Sequence, residues 1–337
     1  MEKGCAVAWK YPMAPSPSRG MPFHVGVNPK GTRFGYPSQD NAVLRELSVF
    51  SNLSKDLKNW FIAFDGHSKS VSTVQFSTVN DKIASGDILG NVNIWNSDHP
   101  TLMSSWDILV LQGPIHDACF SDDGERVAAV GENTHSGKFG GILNIKLKKT
   151  DCEMSAHGGR ALGVTMKPKR PMKVFSVSED NTMNSFQGPP FSLIKNEKIH
   201  GNFINGIRAC PVNNLMVTVS SDKSFHILNS DSGEIIKTIK DAHTGSIYSV
   251  CWFEDGARFA TCSADKTVKV WSQEGELLST LSIAENPAIE DMQMGVAKIQ
   301  GYLLSVSLSG DINLWQDQTL TAKEVSKPDQ VISGHNV

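Results

Sequence analysis

The sequence predicts an all-β, seven-bladed β-propeller, and three observations carry that prediction. First, two distant stretches share one plan. One has Gly66-His67, a β-branched run, Ser85-Gly86-Asp87 and Asn91-Val92-Asn93-Ile94-Trp95; the other has Ala242-His243, a similar run, Ser263-Ala264-Asp265 and Thr267-Val268-Lys269-Val270-Trp271. His and Trp are 28 residues apart in both copies. Second, an apolar triplet at i, i+3 and i+5 recurs as Val71/Val74/Phe76, Ile115/Ala118/Phe120, Ala161/Val164/Met166, Ile204/Ile207/Ala209 and Ile247/Val250/Trp252. Its starts are spaced by 44, 46, 43 and 43 residues, the period of a four-stranded blade. Third, turn-forming residues fall between the apolar runs, where hairpins need them.

Taken in order, residues 22–47 open the ring as a degenerate unit, with Asn28-Pro29-Lys30-Gly31 as a hairpin turn and Ala42-Val43-Leu44 as a third strand. In the regular units the triplet marks the first strand, and its uneven spacing predicts a local irregularity there. Asp122-Asp123-Gly124 and Glu254-Asp255-Gly256 supply the positive-φ residue of the hairpin to the second strand. Asp87-Ile88-Leu89-Gly90, Asp180-Asn181, Asp222-Lys223 and Asp265-Lys266 form the next tight turn. Third strands follow at 92–95, 142–147, 183–186, 224–228 and 268–271, and short fourth strands include 234–239 and 277–281. A second degenerate unit, 288–317, carries strands at 302–306 and 311–315, and Val331-Ile332 supplies its last strand. Residues 1–20, with Pro12, Pro15 and Pro17, read as an extended arm in which Ala6–Trp9 offers an outer strand. The propeller is then 21–333. Gly334-His335 repeats the opening of a unit, so 334–337 reads as the start of a truncated second propeller.

Composition narrows the function classes. A net charge of −3 is too weak for a phosphate-binding field, and Lys167-Pro168-Lys169-Arg170 with Lys173 reads as a solvated loop. No apolar run approaches the roughly 20 residues that span a bilayer. Neither nucleic acid nor membrane is therefore expected as a partner. The six cysteines (5, 119, 152, 210, 251 and 262) form no C-x-x-C pair, and Cys251 and Cys262 sit inside strand patterns, as reduced core thiols do.

His243, Ser263 and Asp265 resemble an acid–base–nucleophile set when written side by side. The duplicate set His67/Asp87/Trp95 argues for bracing instead, because an enzyme has no use for a catalytic set in every blade. A His before the blade, an Asp in the tight turn and a Trp on the third strand, here Trp95 and Trp271, can be joined through a Ser or Thr hydroxyl. His157 and His200 stand singly, without metal-ligand spacing. Gly137-Lys138-Phe139-Gly140-Gly141 lacks the strand–loop–helix setting of a phosphate cradle and reads as a loop before a third strand. No catalytic residue, metal or cofactor is expected. Gln187-Gly188-Pro189-Pro190-Phe191 stands out: consecutive prolines end a ladder, and Phe191 either tucks inward or protrudes towards a partner.

The remaining motifs have a precedent. Ile83-Ala84-Ser85-Gly86-Asp87 with Gly90 and Trp95, Val130-Gly131-Glu132 before Lys138-Phe139-Gly140, and Ser178-Glu179-Asp180-Asn181 come first. Gly188-Pro189-Pro190-Phe191, His200-Gly201-Asn202-Phe203 leading to Asn205 and Ile207, and Leu303 to Gly310 follow. On these residues the chain resembles the N-terminal propeller of the actin-interacting protein 1 family, WD-repeat cofactors of cofilin. The Gly-Pro-Pro-Phe loop and the Ser-Leu-Ser-Gly strand of the seventh unit discriminate far better than the repeat pattern alone. The resemblance implies a cytoplasmic, cytoskeleton-associated monomer that binds actin filaments and promotes disassembly of those decorated by cofilin. It also implies a contact face on the third to fifth blades, which by position holds Glu132, Glu179, Leu193 and Phe203, with Phe191 nearby. The family usually has Asp where Glu179 stands and an aromatic where Leu193 stands; the first change keeps the charge, the second removes an anchor. Family members carry two propellers, and this chain stops where the second would begin. The alternative reading is a generic WD-repeat adaptor within a multiprotein complex, which needs only the repeat.

Overall fold

The structure, a computed structural model, describes residues 13–46, 61–97, 106–133, 137–317, 320 and 326–333. The expectations placed on Ala6–Trp9 and on 334–337 lie outside the described residues. Seven antiparallel sheets of four sequence-consecutive strands form the ring predicted from the period. Blade 1 comprises Gly26–Val27, Arg33–Ser38, Asn41–Glu46 and Phe61–Phe64; blade 2 comprises Val71–Phe76, Lys82–Asp87, Asn91–Asn96 and Trp106–Leu109. Blade 3 is Ile115–Phe120, Arg126–Gly131, Lys138–Asn144 and Lys149–Ser155; blade 4 is Ala161–Met166, Met172–Ser178, Thr182–Gly188 and Ser192–Lys198. Blade 5 is Ile204–Ala209, Leu215–Ser220, Phe225–Asn229 and Ile235–Ile239; blade 6 is Ile247–Trp252, Arg258–Ser263, Thr267–Ser272 and Leu277–Ser282. Blade 7 is Gln293–Ile299, Tyr302–Ser307, Ile312–Gln316 and Gln330–Ile332.

The i, i+3, i+5 triplet has a simple origin. In blade 2 Val71 opposes Asp87 but Thr73 opposes Gly86, so Ser72 is bulged out of the ladder. The same shift occurs in blades 4, 5, 6 and 7. A bulge returns residue i to the face of i+3 and i+5, and that face fills the space between blades. Bulged side chains also staple neighbours: Ser72 Oγ donates to the Ile115 carbonyl, and Asn205 Nδ2 donates to the Ile247 carbonyl at 2.7 Å. Between blades 2 and 3, Val92, Leu111, Ile115, Phe120 and Val127 form one buried cluster. Each such side chain contributes about 1.5–3 kcal/mol on burial.

Two local expectations need correction. Lys138 to Gly141 belong to the third strand of blade 3 and are not a loop. Gly140 is required there, since a Cβ would lie 2.4 Å from the Ala129 carbonyl oxygen. That strand ends at Asn144 and does not reach Leu147, because the Asn144 side chain accepts the Leu147 N–H at 2.9 Å and turns the chain.

Among the described residues, no blade is split between the two ends of the ring. Phe23 N–H donates to the Met294 carbonyl at 3.0 Å and Gln300 N–H to the Gly31 carbonyl at 2.9 Å, joining blade 7 to blade 1. Met13 of the arm and Phe23 just after it enter the same core as Val306, Trp315 and Leu320.

Candidate partner-binding face

Successive strands run antiparallel, so the turns between second and third strands and the links between blades share one end of the ring. The first-to-second and third-to-fourth hairpins lie at the other end. This sorts the predicted contact residues. Glu132 follows the second strand of blade 3, Glu179 follows that of blade 4, and Phe203 precedes the first strand of blade 5. All three share one end on adjacent blades. Phe191 sits in the third-to-fourth hairpin of blade 4 and Leu193 begins its outer strand, so both belong to the opposite end. The five residues do not form one patch.

Side-chain burial separates them further. Phe191 is 8% exposed and packs with Met166, Val174 and Phe186, which is the inward of its two readings. Gly188 makes this possible, because a Cβ there would press on the Phe191 ring and backbone. Leu193 is 43% exposed beside a bulge in the outer strand. Phe203 is 46% exposed on the same end as the two glutamates, a large apolar side chain held in place by its backbone carbonyl, which accepts the Ser221 N–H at 2.9 Å.

The sequence gives no hint that Glu179 is already paired. Arg160, in the link before blade 4, donates from Nε to Oε2 at 2.7 Å and from Nη2 to Oε1 at 2.6 Å. This fork raises the guanidinium pKa further, and Glu132 adds a second negative charge acting on the same group. The face therefore carries an acidic–basic–acidic cluster, with an exposed aromatic on the same end of the next blade. A short loop, 158–160, positions Arg160: Gly158 N–H binds the Asp180 carboxylate and the Arg160 carbonyl accepts the Glu179 N–H at 3.0 Å.

Beneath these loops lies the bracing. In blade 2, His67 contacts Asp87 at 3.1 Å through Nδ1 and Ser85 Oγ at 2.7 Å through Nε2, and Trp95 Nε1 donates to the same Ser85 oxygen at 3.2 Å. In blade 6, His243 contacts Asp265 at 2.9 Å and Thr261 at 2.8 Å, and Trp271 donates to Thr261 at 2.9 Å. The linking hydroxyl is thus Thr261. Ser263, named above as a member of the set, accepts the Asp265 N–H at 3.1 Å and steadies the turn instead. The two copies are also not strict duplicates, because Asp87 ends the second strand whereas Asp265 lies in the turn.

His157 and His200 prove to be part of the same scheme: His157 bonds Ser176 and Thr182, and His200 bonds Thr218 and Asp222. Each His approach is also tied to the third strand: Asn93 reaches the Gly66 carbonyl, His226 that of Ile199, and Lys269 that of Ala242. Burial alone would raise the Asp265 carboxyl, but hydrogen bonds from His243, Thr267 and the Thr244 N–H outweigh it and hold it well below the usual carboxylate range. Asp180 and Asp222 are depressed in the same way. His226 is pushed down to about 4 by burial and by His200, whose ring stacks on it at 3.9 Å. In these braces the acids, imidazoles and hydroxyls are consumed in pinning turns. Among the described residues, no group of three potential ligands is placed to hold a metal ion, and no helix is long and apolar enough to cross a membrane.

Comparison with known proteins agrees with this architecture. The WD domain, G-beta repeat family matches residues 60–96 and 233–272, the two stretches with the complete His-to-Trp plan. Over 330 residues, 97% of this chain and 51% of the relative, the sequence is 29% identical to actin-interacting protein 1 of Drosophila melanogaster. It is 30% identical over 327 residues to WD repeat-containing protein 1 of Bos taurus, covering 96% of this chain and 51% of the relative. A 66 kDa stress protein of Physarum polycephalum is 30% identical over 332 residues, again 97% of this chain against 52% of the relative. The chain therefore spans about half the length of the curated relatives it matches. It is a seven-bladed WD-repeat propeller that resembles the actin-interacting protein 1 family over nearly its whole length.

Proposed function

We propose that this propeller binds actin filaments and promotes the disassembly of those decorated by cofilin, as a binding protein and not an enzyme. The single observation that carries the reading is the end of blades 3 to 5, where exposed Phe203 shares one end of adjacent blades with the Glu132–Arg160–Glu179 cluster. Support also comes from the name of the Drosophila relative, an actin-interacting protein similar to nearly all of this chain. Phe203 supplies the apolar anchor, desolvated on contact, and aromatic anchors of this kind dominate interface energies. Glu132 and Glu179, only partly neutralised by Arg160, select a basic surface. Phe191 serves the hairpin from within, and Leu193 adds a contact only if a partner reaches round the outer strand.

Disassembly then follows from differential affinity. A protein that binds a cofilin-altered filament side more tightly than a bare one shifts the lattice towards the altered, breakable state. No bond chemistry is required. Real-time fluorescence imaging of single filaments tests this: with cofilin present, adding the propeller should increase filament breakage, and without cofilin it should change little. Equal breakage with and without the propeller would refute the activity. A stable complex recovered from cell extract without actin would favour the adaptor reading.

A further inference from the structure

Blade 1 is unusual in having only two residues in its first strand, Gly26–Val27, where the other blades have six or seven. Pro37 in the adjoining strand has no N–H to continue a ladder. The arm takes the vacant side instead. Tyr36 OH donates to the Met13 carbonyl at 2.8 Å, Ser38 Oγ donates to the Ala14 carbonyl at 2.5 Å, and Ser16 N–H donates to the Pro37 carbonyl at 3.3 Å. The chain then crosses to blade 7, where Phe23 N–H is bound by Met294. His24 then meets blades 3, 4 and 5 through Asp117, the Leu162 carbonyl and Arg208. Segment 13–24 thus lies over the one seam that no covalent blade link closes within 26–332.

His24 is 2% exposed, and its two nitrogens have unequal partners. Arg208 Nη2 lies 3.0 Å from Nδ1, and the Leu162 carbonyl lies 3.3 Å from Nε2. A guanidinium can only donate and a carbonyl can only accept. Nδ1 must therefore be the acceptor and Nε2 the donor, which defines one neutral tautomer. Protonation at Nδ1 would aim an N–H at the guanidinium. The nearest carboxylate offsets the cost of burial only in part. Asp117 Oδ1 is 3.9 Å from His24, and its oxygens are already taken by Arg208 at 2.7 and 3.1 Å and by the Val164 N–H at 3.0 Å. The neighbouring imidazole, His116 on blade 3, adds no negative charge and is itself pushed down to about 4 by burial and by Arg160.

We propose that segment 13–24 is a clasp over the seam between blades 7 and 1, locked by neutral His24 and released when that imidazole is protonated. Burial, which outweighs the opposing pull of Asp117 and is aided by Arg208, holds the His24 pKa below its ordinary 6.5, so the lock is intact at neutral pH and weakens on acidification below about 6.5. The sign follows from linkage: a depressed imidazole contributes stability that is complete above the unfolded pKa and falls away as pH drops towards the folded one.

Amide hydrogen exchange of the intact chain, corrected for intrinsic rates, tests the clasp at pH 7.5 and pH 5.0. Protection in peptides spanning 13–24 should fall by up to about tenfold for each pH unit below about 6.5, the open-state value, until the folded imidazole itself takes up the proton. In His24→Gln, whose amide can accept from Arg208 and donate to Leu162 without titrating, protection should stay within about twofold over the same range. Unchanged protection of the wild-type arm at pH 5.0, or an equal loss in His24→Gln, would overturn the proposal. Should the variant fail to fold, the wild-type pattern decides. Loss confined to 13–24 and to the facing strands of blades 1 and 7 supports the clasp, and uniform loss around the ring contradicts it.

Discussion

Replacing Thr261 by Val separates the true link of the blade 6 brace from its apparent one. Thr261 is fully buried between His243 Nε2 at 2.8 Å and Trp271 Nε1 at 2.9 Å. Because His243 Nδ1 faces the Asp265 carboxylate at 2.9 Å, that nitrogen donates, and Nε2 accepts the Thr261 hydroxyl proton. The chain of donors therefore runs from Trp271 to Thr261 to His243 to Asp265. Valine keeps the shape of threonine but strands both an indole N–H and an imidazole nitrogen in the interior. Each unsatisfied buried group costs about 1–3 kcal/mol, so the change should destabilise the ring by about 2–4 kcal/mol. Ser263→Ala removes a single acceptor from the Asp265 N–H and should cost about 1 kcal/mol. Combining Thr261→Val with Trp271→Phe should recover about 1 kcal/mol of the sum, since the two share one contact. Urea unfolding followed by circular dichroism and tryptophan fluorescence measures all three. A Thr261→Val cost no larger than that of Ser263→Ala would refute the brace as described.

Other consequences are equally direct. Acid should destabilise the ring in two stages: first from about pH 6.5 downwards as His226 and His243, both depressed by burial, gain protons on unfolding, then below about pH 4 as the depressed Asp180, Asp222 and Asp265 are protonated. Urea midpoints that are flat from pH 7.5 to 4.5 would contradict the first stage, and His226→Asn should reduce it. Phe191→Ala should cost about 3 kcal/mol because it empties a buried site, whereas Leu193→Ala on the exposed outer strand should stay within about 0.5 kcal/mol. Arg160→Ala should leave Glu132 and Glu179 uncompensated, strengthening filament co-sedimentation at low salt and steepening its salt dependence. Weaker binding in that variant would mean that the face meets an acidic partner.

Periodicity made the ring legible, because blades 2 to 7 repeat the same bulge and the same buried face at nearly constant spacing. The face of the ring was legible only in part. Glu132, Glu179 and Phe203 fall where the order of strands puts them, but the same motif order placed Phe191 and Leu193 nearby when they lie at the other end. A hairpin reverses the chain, so closeness in sequence says nothing about which end of a blade a residue reaches. Thr261 and Ser263 point to the same side of one strand, and only register decides between them: Trp271 opposes Phe259, which brings its indole to Thr261. Arg160 escaped notice because its partner Glu179 is 19 residues away, across a link and two strands. Pro12, Pro15 and Pro17 mark residues 1–20 as an extended arm but do not reveal its docking; its carbonyls at Met13 and Ala14, and His24 just beyond it, meet partners on blades distant in sequence.

The central claim, that Phe203 and the Glu132–Arg160–Glu179 cluster on the same end of blades 3 to 5 form the filament contact, is tested most directly by co-sedimentation with bare and cofilin-decorated actin filaments, comparing the wild-type chain with Phe203→Ala. Loss of an exposed aromatic hot spot should weaken binding to decorated filaments by about 2 kcal/mol, roughly thirtyfold, while leaving the unfolding midpoint unchanged. Unaltered binding by a folded Phe203→Ala, or wild-type binding that ignores cofilin, would contradict the account.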